Sequence, residues 1–132
     1  MPPLIAVVND DTDFLSLMCD LLEGEGYRAE QYKVLDGAYA GLKRDKPALI
    51  VLDIRMETPE GGWQLLELLR LDPATRTTPV IVCSADAPFL RAKEAHLLGY
   101  GCDVLEKPFD LDDLLGKVVA GLKKGGANGR ED

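Results

Sequence analysis

Residues with carboxylate, amide, hydroxyl or ammonium groups directly follow several apolar runs of the chain. They are Asn9, Asp10, Asp11, Asp53, Ser84 and Lys107. Carboxylates gathered at one point repel one another unless a cation lies among them. Oxygen ligands without histidine or thiolate favour a hard ion such as Mg²⁺, which commonly binds a few carboxylates with phosphate oxygens and water. An ammonium and a hydroxyl aimed at the same point suit a bound phosphoryl group, and aspartate is a competent nucleophile for phosphoryl transfer.

Taken singly, each of these residues has a simpler explanation. An acidic pair before a helix usually caps it, and an aspartate after a strand usually makes a turn. Ser84 alone suits a helix cap and Lys107 a solvated charge. These separate explanations do not predict polar residues at the ends of successive strands, so the combination favours a single site.

The elements that position these residues alternate along the chain. Short continuous apolar runs are typical of strands buried on both faces of a parallel sheet. They lie at 4–8, 48–52 and 80–83, with weaker strand candidates at 27–32 and 103–105. Apolar residues at helical spacing predict helices between them. The first has its apolar positions at 14–22, with Thr12 or Asp11 as its cap and Gly24 or Gly26 as its end. The others lie at about 36–45, 63–71, 88–98 and 111–122.

Five strands alternating with five helices predict a parallel sheet with helices on both faces. In such sheets ligands bind beyond the carboxyl ends of the strands, at the switch in strand order. All the polar sets named above follow apolar runs, so we expect them to converge on one edge of the sheet.

The composition is that of a soluble globular domain, with 46% hydrophobic and 29% charged residues among 132. The net charge of −8 argues against direct binding of nucleic acid, which draws on clustered Lys and Arg. No apolar run is long enough for a membrane span, so we expect no membrane association and a cytoplasmic location. Three separated cysteines and one histidine make a disulfide framework or a zinc site unlikely by count. The Gly-rich end predicts a domain over 1–123 and a disordered tail over 124–132.

The chain resembles a receiver domain of a two-component response regulator over about residues 4–122. Four segments carry the resemblance, in order and at family spacing: Val7–Asp11, Leu52–Met56, Val82–Ala85 and Glu106–Phe109. The resemblance implies an α/β fold of flavodoxin-like type, with a doubly wound five-stranded parallel sheet in the order 2-1-3-4-5. It also implies a stand-alone phospho-switch that acts as a signalling module and not as an enzyme.

The family's site residues carry over to matching positions here. By resemblance, Asp53 accepts the phosphoryl group, while Asp10, Asp53 and the Arg55 backbone carbonyl bind Mg²⁺. Ser84 and Lys107 would then contact the phosphoryl oxygens, and the bond between Lys107 and Pro108 would be cis. The implied partners are a sensor histidine kinase or a phosphotransfer protein, a downstream effector protein and, in one arrangement, a second copy in a homodimer.

Three positions depart from the family pattern. Asn9 stands where the first member of an acidic pair is usual, which predicts weaker Mg²⁺ binding, although its amide oxygen could still contact the metal or a metal-bound water. Asp11 could contact the metal directly or through water and so compensate. Val104 replaces the usual aromatic switch residue, so the signal would leave by backbone or helix movement. The loop over 56–62 looks one residue longer than is common.

Three alternatives stay open at this stage. Asn9 and Val104 favour a phosphorylation-independent interaction domain with a modified pocket, whereas Asp53, Ser84 and Lys107 oppose it. A Mg²⁺-dependent phosphatase would need a second acid two residues after its nucleophile, but that position is Arg55. The chain could also be the first domain of a longer DNA-binding regulator.

Overall fold

A computed structural model describes residues 2–130 of the chain, with side chains described as far as residue 124. Five parallel strands form one sheet in the order β2-β1-β3-β4-β5. They are β1 (Leu4–Val8), β2 (Arg28–Tyr32), β3 (Leu49–Asp53), β4 (Val80–Ser84) and β5 (Asp103–Glu106). The predicted doubly wound sheet and its strand order are confirmed.

Helices cover both faces of this sheet. They are α1 (Thr12–Gly24), α2 (Ala38–Asp45), α3 (Gly61–Leu71), α4 (Ala87–Ala92), α5 (Glu94–Gly99) and α6 (Leu111–Arg130). Neighbouring residues of a strand point to opposite faces, so β1 contributes Ile5 and Val7 to a core with α1 and α6. Ala6 and Val8 contribute to the other core, with α2 to α5.

The fourth crossover differs from the single helix predicted over about 88–98. Two short helices stand there, so the described part of the chain has six helices where five were expected. The break falls at Lys93, whose backbone leaves the helical region with φ −101° and ψ 7°. The Lys93 ammonium lies 5.1 Å from the centre of the Trp63 ring and also packs over Phe89. These cation–π contacts favour the bent arrangement.

The last helix also differs from the sequence prediction. The helical backbone of α6 continues to Arg130, past the predicted domain end at residue 123 and through 124–130 of the predicted disordered tail. No proline follows Leu111 to interrupt its hydrogen-bonding ladder. Residues 131–132 lie outside the described residues, and the division into a domain over 1–123 and a tail over 124–132 stays a prediction. None of the helices within 2–130 combines the length and apolar character that crossing a bilayer would take.

Candidate functional site

Asp53 ends β3 and is the centre of a polar cluster at the carboxyl edge of the sheet. Its Oδ2 accepts hydrogen bonds from Asn9 Nδ2 at 3.0 Å and from Lys107 Nζ at 2.7 Å. Its Oδ1 accepts the Arg55 backbone N–H at 3.0 Å. Asp53 is only 7% exposed, and a buried carboxylate needs such partners because burial without them is costly. Residues from three strand ends therefore meet here, as predicted.

The backbone after β5 positions Lys107. Its N–H donates to the Ser84 carbonyl at 2.8 Å, and the peptide bond to Pro108 is cis. The ammonium lies 4.8 Å from the centre of the Phe14 ring on α1. Lys107 therefore has an anionic partner in Asp53 and an aromatic partner in Phe14, and the second contact was not foreseen from the sequence.

Asn9 and Asp11 hold the start of α1. The Asn9 side chain is buried and uses both ends of its amide, because its Oδ1 accepts the Asp11 N–H at 2.9 Å. Asp11 Oδ1 in turn accepts the Phe14 N–H at 3.2 Å, which makes Asp11 the N-cap of α1. The sequence left Thr12 or Asp11 as the cap, and this contact identifies Asp11. The Asn9 oxygen likewise accepts a backbone N–H, and a role of either residue towards a metal ion stays a prediction.

Asp10 is exposed and reaches across to the loop after β3. Its Oδ2 accepts the Glu57 backbone N–H at 2.8 Å. Glu57 lies four positions after Asp53 in the segment that looks one residue longer than the family pattern. The contact thus places the Asp10 carboxylate at the same sheet edge as Asp53, although the two carboxylates share no hydrogen-bond donor.

Ser84 ends β4 and is buried. Its Oγ accepts the Asp86 N–H at 3.0 Å, and the Asp86 side chain caps α4 by accepting the Phe89 N–H. The hydroxyl is therefore part of the turn that begins α4. It makes no hydrogen bond with Asp53 among the described residues, so its predicted contact with a phosphoryl oxygen stays a prediction.

Gly62 was not identified from the sequence as a site residue. A Cβ built on Gly62 would lie 1.9 Å from the Asp53 carbonyl oxygen, far inside a normal contact distance. Gly62 N–H also donates to the Ile54 carbonyl at 2.8 Å. The first turn of α3 can pack on the end of β3 only because this residue has no side chain. The adjacent Gly-Gly pair is the one sequence signal that could have indicated it.

The oxygen-rich donor set fits a small hard cation in composition. Asp10 and Asp53 offer carboxylates, and the Arg55 carbonyl would be a third protein ligand. Within residues 2–130, no three acidic, histidine or cysteine side chains come together to hold a metal ion. A cation here would therefore depend on two carboxylates, one carbonyl and further oxygens from water or phosphate, which is the way Mg²⁺ is commonly bound.

The thiol next to the site is not a candidate nucleophile. Cys83 pairs in register with Asp53 across the β3–β4 ladder. Burial raises the pKa of the Cys83 thiol to about 12, so at neutral pH the group stays protonated and unreactive. The chemistry of this edge therefore falls to the carboxylates and Lys107.

Val104 lies on β5, opposite Val82, and is half-buried. It borders an apolar groove of about 240 Å³ between β5 and the two helices α4 and α5, lined also by Leu90, Leu97 and Leu98. Val104, the position at which the resemblance predicts an aromatic switch residue, thus presents a small branched side chain to this groove, and its role in a switch stays a prediction.

Together, the doubly wound sheet and the Asp–Lys pair at its switch point define a receiver-type signalling fold. The sequence matches the response regulator receiver domain family over residues 5–119. The chain belongs to this family. Its fold and its class as a signalling domain of two-component systems therefore follow.

Relatives and solved structures agree with this assignment. The chain is 33% identical to the nitrogen assimilation regulatory protein NtrX of Azorhizobium caulinodans over 112 residues, covering 84% of this chain and 24% of NtrX. A CheY-like receiver domain protein from Methanospirillum hungatei superimposes with a TM-score of 0.82 at 27% identity, covering 97% and 99% of the two chains.

A third similar structure is the receiver domain of a sensor histidine kinase from Pseudomonas aeruginosa. It has a TM-score of 0.79 at 22% identity, covers 93% and 99% of the two chains, and holds a magnesium ion in its active-site cleft. Among the first curated relatives, the chain spans 24% of the length of NtrX and 52% of PhoB from Klebsiella pneumoniae. The predicted absence of an effector domain accordingly stays a prediction.

Proposed function

We propose that this domain is a Mg²⁺-dependent phosphoryl acceptor at Asp53 that switches protein–protein interactions in two-component signalling. The observation that carries the proposal is the buried Asp53 carboxylate with the Lys107 ammonium 2.7 Å away. Asp53 ends β3 at the sheet edge, where the ends of other strands deliver the polar groups around it. A small phosphodonor or a phosphohistidine would approach it at this edge.

The proposed step transfers one phosphoryl group. An Asp53 carboxylate oxygen attacks phosphorus, the bond from phosphorus to the donor's nitrogen or oxygen breaks, and the leaving group keeps that electron pair. The product is an acyl phosphate. Lys107 then exchanges its contact with Asp53 for the new phosphoryl oxygens, where a charge-assisted hydrogen bond is strong. Mg²⁺, held by Asp10, Asp53 and the Arg55 carbonyl, would neutralise the accumulated negative charge.

A protein phosphodonor needs a surface near Asp53, and an apolar groove of about 460 Å³ lies beside Lys107, the ion-pair partner of Asp53. Exposed Leu17 of α1 and Leu111 of α6 flank it. Lys107 and Pro108 also line the groove, so a partner seated in it would stand next to the ammonium. We propose this groove as the docking surface for a histidine kinase or a phosphotransfer protein. A downstream effector and a homodimer are further proposed partners, for which the groove beside Val104 is a candidate surface.

Incubation with acetyl phosphate and Mg²⁺, followed by intact-mass measurement, tests the proposal. We expect one added phosphoryl group in the unaltered protein and none in Asp53→Asn. Asp13→Asn is the matched control, because Asp13 is exposed in the first turn of α1 and faces no site residue in the hydrogen-bond network. It should be modified like the unaltered protein. Modification of Asp53→Asn to the same extent would contradict the choice of acceptor.

A phosphorylation-independent interaction domain is the second candidate function. The Asn9–Asp53 hydrogen bond favours it, because an amide in place of a carboxylate gives the pocket a partner for Asp53 that needs no metal. No mass increase with acetyl phosphate, phosphoramidate or a phosphorylated histidine kinase would favour this candidate.

A further inference from the structure

Glu57 connects two loops that the sequence places far from each other. Its backbone N–H donates to Asp10 Oδ2 at 2.8 Å. Its side-chain Oε2 accepts the backbone N–H of Leu35, in the loop between β2 and α2, at 2.5 Å. One exposed residue thus holds the loop after β1 through its main chain and the loop after β2 through its side chain.

The backbone of Glu57 supports a specific role. Its φ is +66°, a conformation that costs a residue with a side chain free energy and persists only where the surroundings determine it. The turn centred on Glu57 is closed by the hydrogen bond from Thr58 N–H to the Met56 carbonyl at 2.7 Å. The loop is therefore ordered around Glu57, and the strained residue is the one that makes both contacts.

Leu35 is the connection to the rest of the domain. Its carbonyl accepts the Ala38 N–H at the start of α2, and its side chain packs against the core on that face. A Cβ on Gly61 would come within 2.7 Å of Leu35 Cδ1, so Leu35 also contacts the beginning of α3. A shift of Leu35 would therefore reach two helices.

We propose that Glu57 is a positioning residue that orients the Asp10 carboxylate for a divalent cation and couples that cation to the β2–α2 loop. The cation itself rests on the proposed function. Glu57 holds Asp10 by Oδ2, which leaves Oδ1 without a hydrogen-bond partner among the described residues and available as a ligand. The cation and the Glu57–Leu35 contact stabilise the same loop arrangement, so each strengthens the other, because linkage is reciprocal.

Three variants test the coupling by Mg²⁺ titration and by amide hydrogen exchange at Leu35. Glu57→Ala removes the side-chain acceptor of the Leu35 N–H, whereas Glu57→Gln keeps an acceptor oxygen. Glu60→Ala is the control, because it removes the same charge from the same loop and Glu60 makes no side-chain cap hydrogen bond. We expect Glu57→Ala to bind Mg²⁺ about tenfold more weakly than the unaltered protein, which is the lower limit for a residue behind a metal ligand. The Mg²⁺ affinities of Glu57→Gln and Glu60→Ala should lie within about twofold of each other.

Hydrogen exchange gives a readout that phosphorylation does not influence. Without metal, Leu35 should exchange at least about tenfold faster in Glu57→Ala than in Glu60→Ala, as expected for loss of a hydrogen bond to a charged group. Mg²⁺ should slow exchange at Leu35 in the unaltered protein and in Glu60→Ala, and have no such effect in Glu57→Ala. Thermal unfolding by circular dichroism checks that each variant is folded.

Three results would overturn the inference, and the third has a different meaning from the first two. If Glu57→Ala binds Mg²⁺ as tightly as Glu60→Ala, or if Mg²⁺ leaves exchange at Leu35 unchanged in the unaltered protein, Glu57 has no coupling role although the proposed function stands. If the unaltered protein binds no Mg²⁺, the coupling and the metal dependence of the proposed function fail together.

Discussion

Replacing Asn9 by aspartate tests how this pocket manages its charge. The Asn9 amide is 2% exposed and donates to Asp53 Oδ2 at 3.0 Å. In Asn9→Asp a carboxylate takes its place, so a hydrogen bond becomes a repulsion between two buried anions. We expect the metal-free protein to lose stability and the affinity for Mg²⁺ to rise, because a cation would relieve that repulsion.

The size of the effect follows from the contact. Losing a hydrogen bond to a charged group costs about 1.5–3 kcal/mol. Two unit charges 4 Å apart repel by about 4 kcal/mol at an effective dielectric constant of about 20, and the Lys107 ammonium offsets part of this. A net loss of about 2–4 kcal/mol in the free energy of unfolding is therefore expected without metal. Because about 1.4 kcal/mol corresponds to a factor of ten, Mg²⁺ should bind Asn9→Asp at least about tenfold more tightly.

Urea unfolding with and without Mg²⁺, together with calorimetric Mg²⁺ titration, measures both quantities. Gln64→Glu is the matched control, because it adds the same charge at an exposed position of α3. In the control, the free energy of unfolding should change by no more than about 0.5 kcal/mol. Its Mg²⁺ affinity should stay within about twofold of that of the unaltered protein. Equal Mg²⁺ affinities of the unaltered protein and Asn9→Asp would refute the reasoning.

Two further predictions concern packing and pH. Gly62→Ala should lower the free energy of unfolding by about 2–3 kcal/mol or more in urea titrations, because its Cβ would meet the Asp53 carbonyl oxygen at 1.9 Å. Gly116→Ala, with nothing within 4 Å, should instead be neutral or stabilising, and equal effects of the two would contradict the packing argument. The hydrogen bond from the Tyr39 hydroxyl, with smaller contributions from a backbone N–H and a lysine, lowers the pKa of Asp72 from 3.8 to about 2. A lowered pKa adds stability that is present above about pH 4 and is lost as the pH falls towards 2. Asp72→Asn should therefore reduce the loss of unfolding free energy between about pH 4 and about pH 2. An unchanged loss in this range would exclude a stabilising role for the ionised Asp72.

The parallel sheet and the place of the site were within reach of the sequence for one physical reason, whereas the strand order came only from the resemblance to the receiver family. Parallel strands buried on both faces leave continuous apolar runs, and their carboxyl ends share one edge. Asp53 and Lys107 could therefore be placed together although they are far apart in the chain. The helical break at Lys93 could not be foreseen, because it depends on contacts with Trp63 and Phe89 that exist only after folding.

The finer geometry of the site was also beyond the sequence. Which atom of the Asn9 amide faces Asp53 depends on the Asp11 N–H at its other end. The positive φ of Glu57 and the close approach of Gly62 to Asp53 depend on how the loop closes after β3. Each of these three details is set by tertiary contacts over a few ångströms. The spacing of residue types along the chain carries no information on such distances.

Asn9 has a consequence for any reaction at Asp53 because the amide is committed at both ends. Each carboxylate oxygen has two lone-pair sites, and Asn9 and Lys107 together fill those of Oδ2, while the Arg55 N–H takes one of Oδ1. Of these three donors, only the Lys107 ammonium is carried on a long, flexible side chain, and 27% of that side chain is exposed. Under the proposed function, Lys107 is therefore the donor that can follow the phosphoryl group, whereas Asn9 keeps Asp53 in place before and after transfer. This division of roles explains how an acidic pocket can lose one carboxylate and still present an ordered acceptor.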